Sequence, residues 1–321
     1  MKRAVLEFER PIAELEDKVA ELRSFGESND VDVEHGITVL LEKIEETRKR
    51  VYASLTPIQK VQLARHPERP YSLDYLDRLL IDFIELKGDR RYADDQAIVG
   101  GFGRFRGQKV MFIGQQKGRD VKENVRRNFG MCHPEGYRKA LRLMQLADKA
   151  GTPIITFIDT PGAYPGLASE ERHVGEAIAL NLREMFNLTV PVISVVIGEG
   201  GSGGALGIGC ANRVLIMQFA YYSVITPEGC AAILWKSQEG DNVATASKAL
   251  KITSDDLLNL GIVDEIVPEP EGGANQDYDT AASKLGDCLE KHLKTLGKLT
   301  ADELMQDRYD KFRKMGNFLE A

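Results

Sequence analysis

The chain has 321 residues, 43% of them hydrophobic and 28% charged, with a formal net charge of −7; that length can bury a sizeable core without disulfide staples, as one large domain or one domain with a helical extension. The acidic balance argues against indiscriminate attraction to a phosphate backbone, so no nucleic-acid partner is predicted. The basic start Met1-Lys2-Arg3 leads into an acidic amphipathic stretch and no apolar run reaches bilayer length, so the expectation is a cytoplasmic protein without a membrane partner.

Phe8, Ile12, Leu15, Val19 and Leu22 are spaced by fours and threes, predicting an amphipathic helix with Pro11 in its first turn. Residues 26–36 read as a polar connector, and Ile37, Leu40, Leu41, Ile44 and Val51 as a second helix, so the pair suggests a hairpin. Thr56-Pro57 caps a short helix ending at Ala64, two prolines interrupt Arg65 to Pro70, and a helix from Ser72 carries Leu73, Leu76, Leu79, Leu80 and Phe83 up to Gly88.

The pattern then changes to strands at 98–105 and 108–113 around Arg106-Gly107, followed by a polar loop at 115–120. A helix at 134–149, a strand at 153–158, a helix at 169–186 and a buried strand at 190–197 make a parallel strand–helix–strand unit. A glycine-rich bend, a short helix near Ala205, strands at 214–217 and 262–267, a flexible linker at 268–277 and helices at 279–296 and 300–315 complete the chain, with Thr300 and Glu303 as a capping box. The class is α/β.

Two glycine-bearing segments each follow a strand. The first, Asp159-Thr160-Pro161-Gly162-Ala163-Tyr164-Pro165-Gly166, has two Pro-Gly pairs that bend the main chain and let backbone donors approach a ligand. Asp159 can equally be a loop acceptor. The second is Gly198-Glu199-Gly200-Gly201-Ser202-Gly203-Gly204-Ala205-Leu206, where unpaired amides at a helix start can face a negatively charged oxygen. One crossover helix separates the two strands, so both segments can converge at one sheet end as an oxyanion pocket, or be two tight packing turns.

Ser202 does not sit in a hydrolase elbow motif, and Glu199 reads as an ionic packing partner in preference to a base. Lys117, Arg119, Arg126 and Arg127 form a local basic region, read as a charged solvent face. His173 reads as a surface or packing residue, Thr226-Pro227 as a helix start, and Trp235, beside Ile233 and Leu234, as core or interface packing. Cys132, Cys210, Cys230 and Cys288 are dispersed without a CxxC pair; buried reduced thiols are expected, and no metal is predicted in this chain.

Longer phrases carry a resemblance: Phe8-Glu9-Arg10-Pro11-Ile12-Ala13-Glu14-Leu15-Glu16, Arg65-His66-Pro67-Glu68-Arg69-Pro70-Tyr71, Tyr92-Ala93-Asp94-Asp95, Gln116-Lys117-Gly118-Arg119, Arg126-Arg127-Asn128-Phe129-Gly130-Met131 and Pro134-Glu135-Gly136-Tyr137-Arg138-Lys139-Ala140. With these the chain resembles, over nearly its whole length, the acetyl-CoA carboxylase carboxyltransferase alpha-subunit family of the crotonase and Clp-protease-like superfamily. The resemblance implies a ββα spiral with an N-terminal helical extension: residues 1–88 as the extension, 89–270 as the carboxyltransferase core and 271–321 as a helical segment packing on core or partner. It implies transfer of a carboxyl group from carboxybiotin, delivered on a biotin carboxyl carrier protein, to acetyl-CoA, giving malonyl-CoA for fatty acid synthesis. A zinc-carrying beta subunit in an α2β2 assembly, with biotin carboxylase in the larger complex, is the implied partner set. Backbone amides of Ala163, Gly166, Gly203 and Gly204 are then the implied catalytic donors, and Gly162, Gly166, Gly201, Ser202, Gly203 and Gly204 the implied biotin-binding positions. An acyl-CoA hydratase or isomerase of the same superfamily and a noncatalytic assembly subunit stay open as alternatives.

Overall fold

The computed structural model describes residues 4–236 and 240–316; the basic start at 1–3 lies outside them. Two long helices, α1 (Arg10–Asn29) and α2 (Glu34–Ala53), pair through Ile12, Leu15, Val19, Ile37 and Ile44, a small core of their own. Pro11 sits in the first turn of α1, where its missing N–H costs nothing. The connector is shorter than the polar composition of 26–36 predicts: α1 runs on through Gly26 to Asn29 and ends at Asp30 in the left-handed region.

α3 (Pro57–Ala64) begins at Thr56, whose hydroxyl accepts from the Gln59 N–H as Gln59 bonds back. α4 (Ser72–Leu79) stops earlier than its apolar spacing predicts, because Leu80–Glu85 is strand β1, antiparallel to β2 (Ile98–Phe105). Leu79, Leu80 and Phe83 suit a helical stripe, but Ile81, Phe83 and Ile84 also suit an extended strand, and pairing with β2 decides between them. β2 turns at Arg106-Gly107 into β3 (Gln108–Gln115).

After α5 (Val121–Arg126) and α6 (Pro134–Lys149) come β4 (Ile154–Thr160), α7 (Leu167–Glu171), α8 (Val174–Phe186) and β5 (Val192–Gly201). The helix predicted at 169–186 is two helices, broken at the exposed His173, whose φ of 63° cannot continue a right-handed turn. Then follow α9 (Ser202–Leu206), β6 (Arg213–Met217), β7 (Tyr221–Ser223), α10 (Pro227–Trp235), α11 (Gly240–Ala249), α12 (Ser254–Asn259), β8 (Glu265–Val267), α13 (Tyr278–Leu296) and α14 (Ala301–Arg313). Thr226 and Thr300 cap α10 and α14 with their side chains.

The sheet runs β1-β2-β3-β4-β5-β6-β8, with β7 taking up the end of β5; from β3 onward the pairs are parallel. β4 and β5 are buried along their whole lengths, as central strands covered on both faces must be. α6 and α13 pack into the same core as the sheet, through Leu143 and Met144 and through Leu285 and Leu289.

Residues 268–277 are not the flexible linker their composition suggests. Glu269 is buried there, paired with Arg69 and accepting the N–H groups of Phe219 and, within the segment itself, Ala274, so the segment is tied to two other parts of the fold and folded back on itself. Nor are Ile233, Leu234 and Trp235 in the core: they are 71%, 65% and 42% exposed. All four cysteines are free, but only Cys132 and Cys210 are fully buried. No described helix is long and apolar enough to cross a membrane.

Candidate functional site

The two glycine segments meet. β4 and β5 stay in register from Ile154 and Val192 to Ile158 and Val196, then Thr160 pairs with Gly200, so β5 carries extra residues where β4 ends. β7 pairs with Glu199, Gly200 and Gly201, which keeps them extended; the bend expected across 198–206 is confined to Ser202 at the entry to α9. Ser202 adopts a φ of 52°, a left-handed corner between strand and helix.

That corner drives the second segment against the first. A Cβ on Gly204 would lie 2.4 Å from the Gly162 carbonyl carbon and 2.6 Å from the Ala163 nitrogen, and one on Gly201 would lie 2.1 Å from the Pro161 oxygen. Only residues without side chains permit this approach. Gly162 is set by Thr160, whose hydroxyl donates to the Gly162 oxygen and accepts its N–H. Thus Gly162, Ala163, Gly201 and Gly204 come together.

Gly203 faces elsewhere: its nearest neighbour for a Cβ is Ile178 Cδ1, at 3.6 Å. With Ser202 it lines an apolar cavity of about 450 Å³, together with Leu206, Tyr222, Val224 and Leu250. The nearest atoms for a Cβ on Gly166 belong to Tyr164, and Gly166 caps α7. The N–H groups of Gly203 and Gly204 are in the first turn of α9, ahead of any acceptor within that helix.

Behind the glycines sits a charged cluster in which Glu199 is the ionic packing partner expected of it, while its partners Lys117, Arg65 and Tyr221 were not expected there. Lys117, expected on a solvent face, is largely buried and its Nζ lies 2.7 Å from Asp159 Oδ1 and 2.6 Å from Glu199 Oε2. Arg65 Nε meets Glu199 Oε1 at 2.6 Å and reaches Glu228, and the Tyr221 hydroxyl donates to Glu199 at 2.7 Å. Asp159 also accepts the Glu199 N–H. Arg119, stacked on Tyr71 at 3.9 Å from its ring centre, and Arg126 are exposed as expected, whereas Arg127 is buried, donating to Glu123 and to the Gln96 carbonyl. The one signal for this cluster was polar residues immediately beyond apolar strands.

Burial alone would raise the Glu199 carboxyl, but Lys117 and Arg65 outweigh it and bring it down to about 2. Burial would likewise depress the Lys117 ammonium, and its two carboxylates hold it above the usual lysine range. Asp159 shares that ammonium with Glu199, and burial pushes its carboxyl up. Because the folded Glu199 titrates below an unfolded glutamate, its contribution is present above about pH 4.5 and is lost as pH falls toward 2. Urea midpoints measured from pH 6 to 2.5 should therefore fall more steeply for the parent than for Glu199→Gln; equal slopes would contradict the assignment.

Among the described residues the histidine hydrogen bonds run from His66 to Ala4 and Glu68, from His133 to Ser169 and Arg172, and from His292 to Glu265; none reaches Ser202. A serine–histidine nucleophile is therefore not assembled. No group of three or more His, Cys, Asp or Glu among the described residues is arranged to hold a metal ion.

Residues 5–316 match the family described as acetyl co-enzyme A carboxylase carboxyltransferase-like. The chain belongs to that family. The acetyl-coenzyme A carboxylase carboxyl transferase subunit alpha of Halorhodospira halophila is 54% identical over 98% of this chain and 99% of its own length. That of Thermus thermophilus is 54% identical over 98% and 99%. Among solved structures, a transcarboxylase 12S chain aligns over 69% of this chain and 41% of its own, with a TM-score of 0.55 and 22% identity. A chain of a Pseudomonas malonate decarboxylase hetero-tetramer aligns over 68% and 86%, with a TM-score of 0.55 and 17% identity. These structural likenesses establish the fold: the crotonase and Clp-protease-like ββα core, here with an N-terminal helical extension.

Proposed function

We propose that this carboxyltransferase-family chain moves a carboxyl group from carboxybiotin to acetyl-CoA, forming malonyl-CoA for fatty acid synthesis, as the alpha half of an α2β2 enzyme with a zinc-carrying beta subunit. The observation that carries the reading is the close approach of Gly204 to Gly162 and Ala163, which leaves the first amides of α9 beside an apolar cavity. The donor set suits the group: backbone N–H groups can stabilise a developing oxyanion without reorganising, and the cavity lining suits a largely apolar ring. Bound there, carboxybiotin on its carrier protein would supply the carboxyl group and leave charge on its ureido oxygen.

The chain's own part is to hold donors and exclude water. Gly203 and Gly204 would donate from the first turn of α9, with Ala163 and Gly166 as the donors proposed on the facing loop. Gly162, Gly201 and Ser202 would shape the biotin-binding wall. Residues 1–88, 89–270 and 271–321 are read as extension, catalytic core and C-terminal helical segment, with β1 at the end of the extension joining the core sheet beside β2. Biotin carboxylase and the carrier protein would dock as further components of a cytoplasmic assembly.

A hydratase or isomerase on this fold would need a side-chain acid or base at the site. The two carboxylates next to the glycines, Asp159 and Glu199, are both engaged with cations, which disfavours that reading.

The deciding experiment is reconstitution. The purified chain alone should make no measurable malonyl-CoA from carboxybiotin and acetyl-CoA, and adding the beta subunit should restore turnover. Efficient synthesis by the chain alone would overturn the division of labour. Failure of the reconstituted pair would overturn the reaction assigned.

A further inference from the structure

We infer that Gln115 is a positioning residue for the proposed oxyanion turn, an inference that rests on the carboxyltransferase reading above. Gln115 ends β3, and its side chain is fully buried between the two glycine segments. Its Nε2 donates to the Gly204 carbonyl oxygen at 2.8 Å, while its Oε1 accepts the Asp159 N–H at 3.0 Å. One planar amide therefore ties the end of β4 to the first turn of α9, at the residue that packs on Gly162 and Ala163.

The geometry is specific to an amide. A carboxamide offers a donor and an acceptor side by side on one rigid plane whatever the pH, and the side chain of Gln115 is long enough to span the gap found here. The backbone of Gln115 is itself fixed, since its carbonyl accepts the Ser72 hydroxyl at 2.6 Å. Tyr137 supports the same Gly204 oxygen from farther off, at 3.4 Å, so Gln115 makes the shorter of these two bonds. Fixing the Gly204–Ala205 peptide fixes the pitch of α9, and hence the direction of the amides one and two residues earlier. Gln115 does not line the cavity beside Gly203, so its place is behind the turn.

Two variants and two readouts test this. Gln115→Met keeps length and removes both hydrogen bonds; Gln115→Leu removes both with a shorter apolar side chain. In hydrogen exchange on the full chain, amides in residues 202–209 should exchange about tenfold faster in Gln115→Met, with the β2–β3 hairpin unchanged. In the complex with the beta subunit, kcat should fall by about tenfold to a hundredfold with the KM for acetyl-CoA unaltered, since a small misdirection of donors affects the transition state more than binding. If Gln115→Met does not fold, the same results are expected of Gln115→Leu. Parental exchange in 202–209, or a parental kcat, in a folded variant would overturn the inference. Failure of the underlying reading looks different: the parental complex would then make no malonyl-CoA, while the exchange readout would still decide whether Gln115 holds the turn.

Discussion

Replacing Gly204 with alanine is expected to lower malonyl-CoA formation by the reconstituted complex about a hundredfold, whereas Gly203→Ala keeps most of its turnover. The contrast follows from where each Cβ goes. At Gly204 the added carbon meets backbone, the Gly162 carbonyl carbon at 2.4 Å and the Ala163 nitrogen at 2.6 Å, and backbone at the ends of two central strands cannot swing aside as a side chain can. The two segments must part, and donors aimed at one oxygen lose their common focus. Losing a single well-placed oxyanion donor costs about 3 kcal/mol of transition-state stabilisation, on the order of a hundredfold in rate. At Gly203 the carbon meets only Ile178, at an ordinary contact distance of 3.6 Å. Turnover at saturating acetyl-CoA should be compared at equal complex concentration, with near-ultraviolet circular dichroism and subunit pairing confirming that each variant folds. A folded Gly204→Ala complex with near-parental turnover would refute the role of this contact.

Breaking the Arg69–Glu269 pair is expected to cost about 3–5 kcal/mol of stability, and on the order of 10 °C in Tm. The side chains are 1% and 0% exposed, and the guanidinium meets the carboxylate at 2.6 and 3.0 Å. Arg69 also donates to the Ile197 oxygen of β5, and Glu269 accepts from Phe219 and Ala274. Glu269→Ala therefore strands a buried cation and two N–H groups at once. The double variant Arg69→Met with Glu269→Leu should recover part of the loss, because no unpaired charge remains, though the backbone groups stay unsatisfied. Guanidinium denaturation of parent, single and double variants gives the comparison. A single variant within about 1 kcal/mol of the parent would show that residues 268–277 are the loose connection their composition suggests.

What the sequence determined by itself was local. Apolar spacing marks α1, α2 and α6; the threonine caps at Thr56, Thr226 and Thr300 mark helix starts; and the glycine segments at 159–166 and 198–206 mark where chemistry can sit, because cap, turn and period preferences act over a few residues. The family phrases added the reaction. Tertiary structure decided the rest. β1 is a strand because β2 lies beside it, and β7 exists as three residues because the end of β5 needs a neighbour. Lys117 is a buried tie instead of a surface charge because folding brings Asp159 and Glu199 to it from two other strands. Gln115 reads as the first residue of a polar loop until its amide is seen between Asp159 and Gly204. Each of these depends on partners distant in the chain, and the energy of pairing or burying a polar group is set by those partners, which local pattern does not contain.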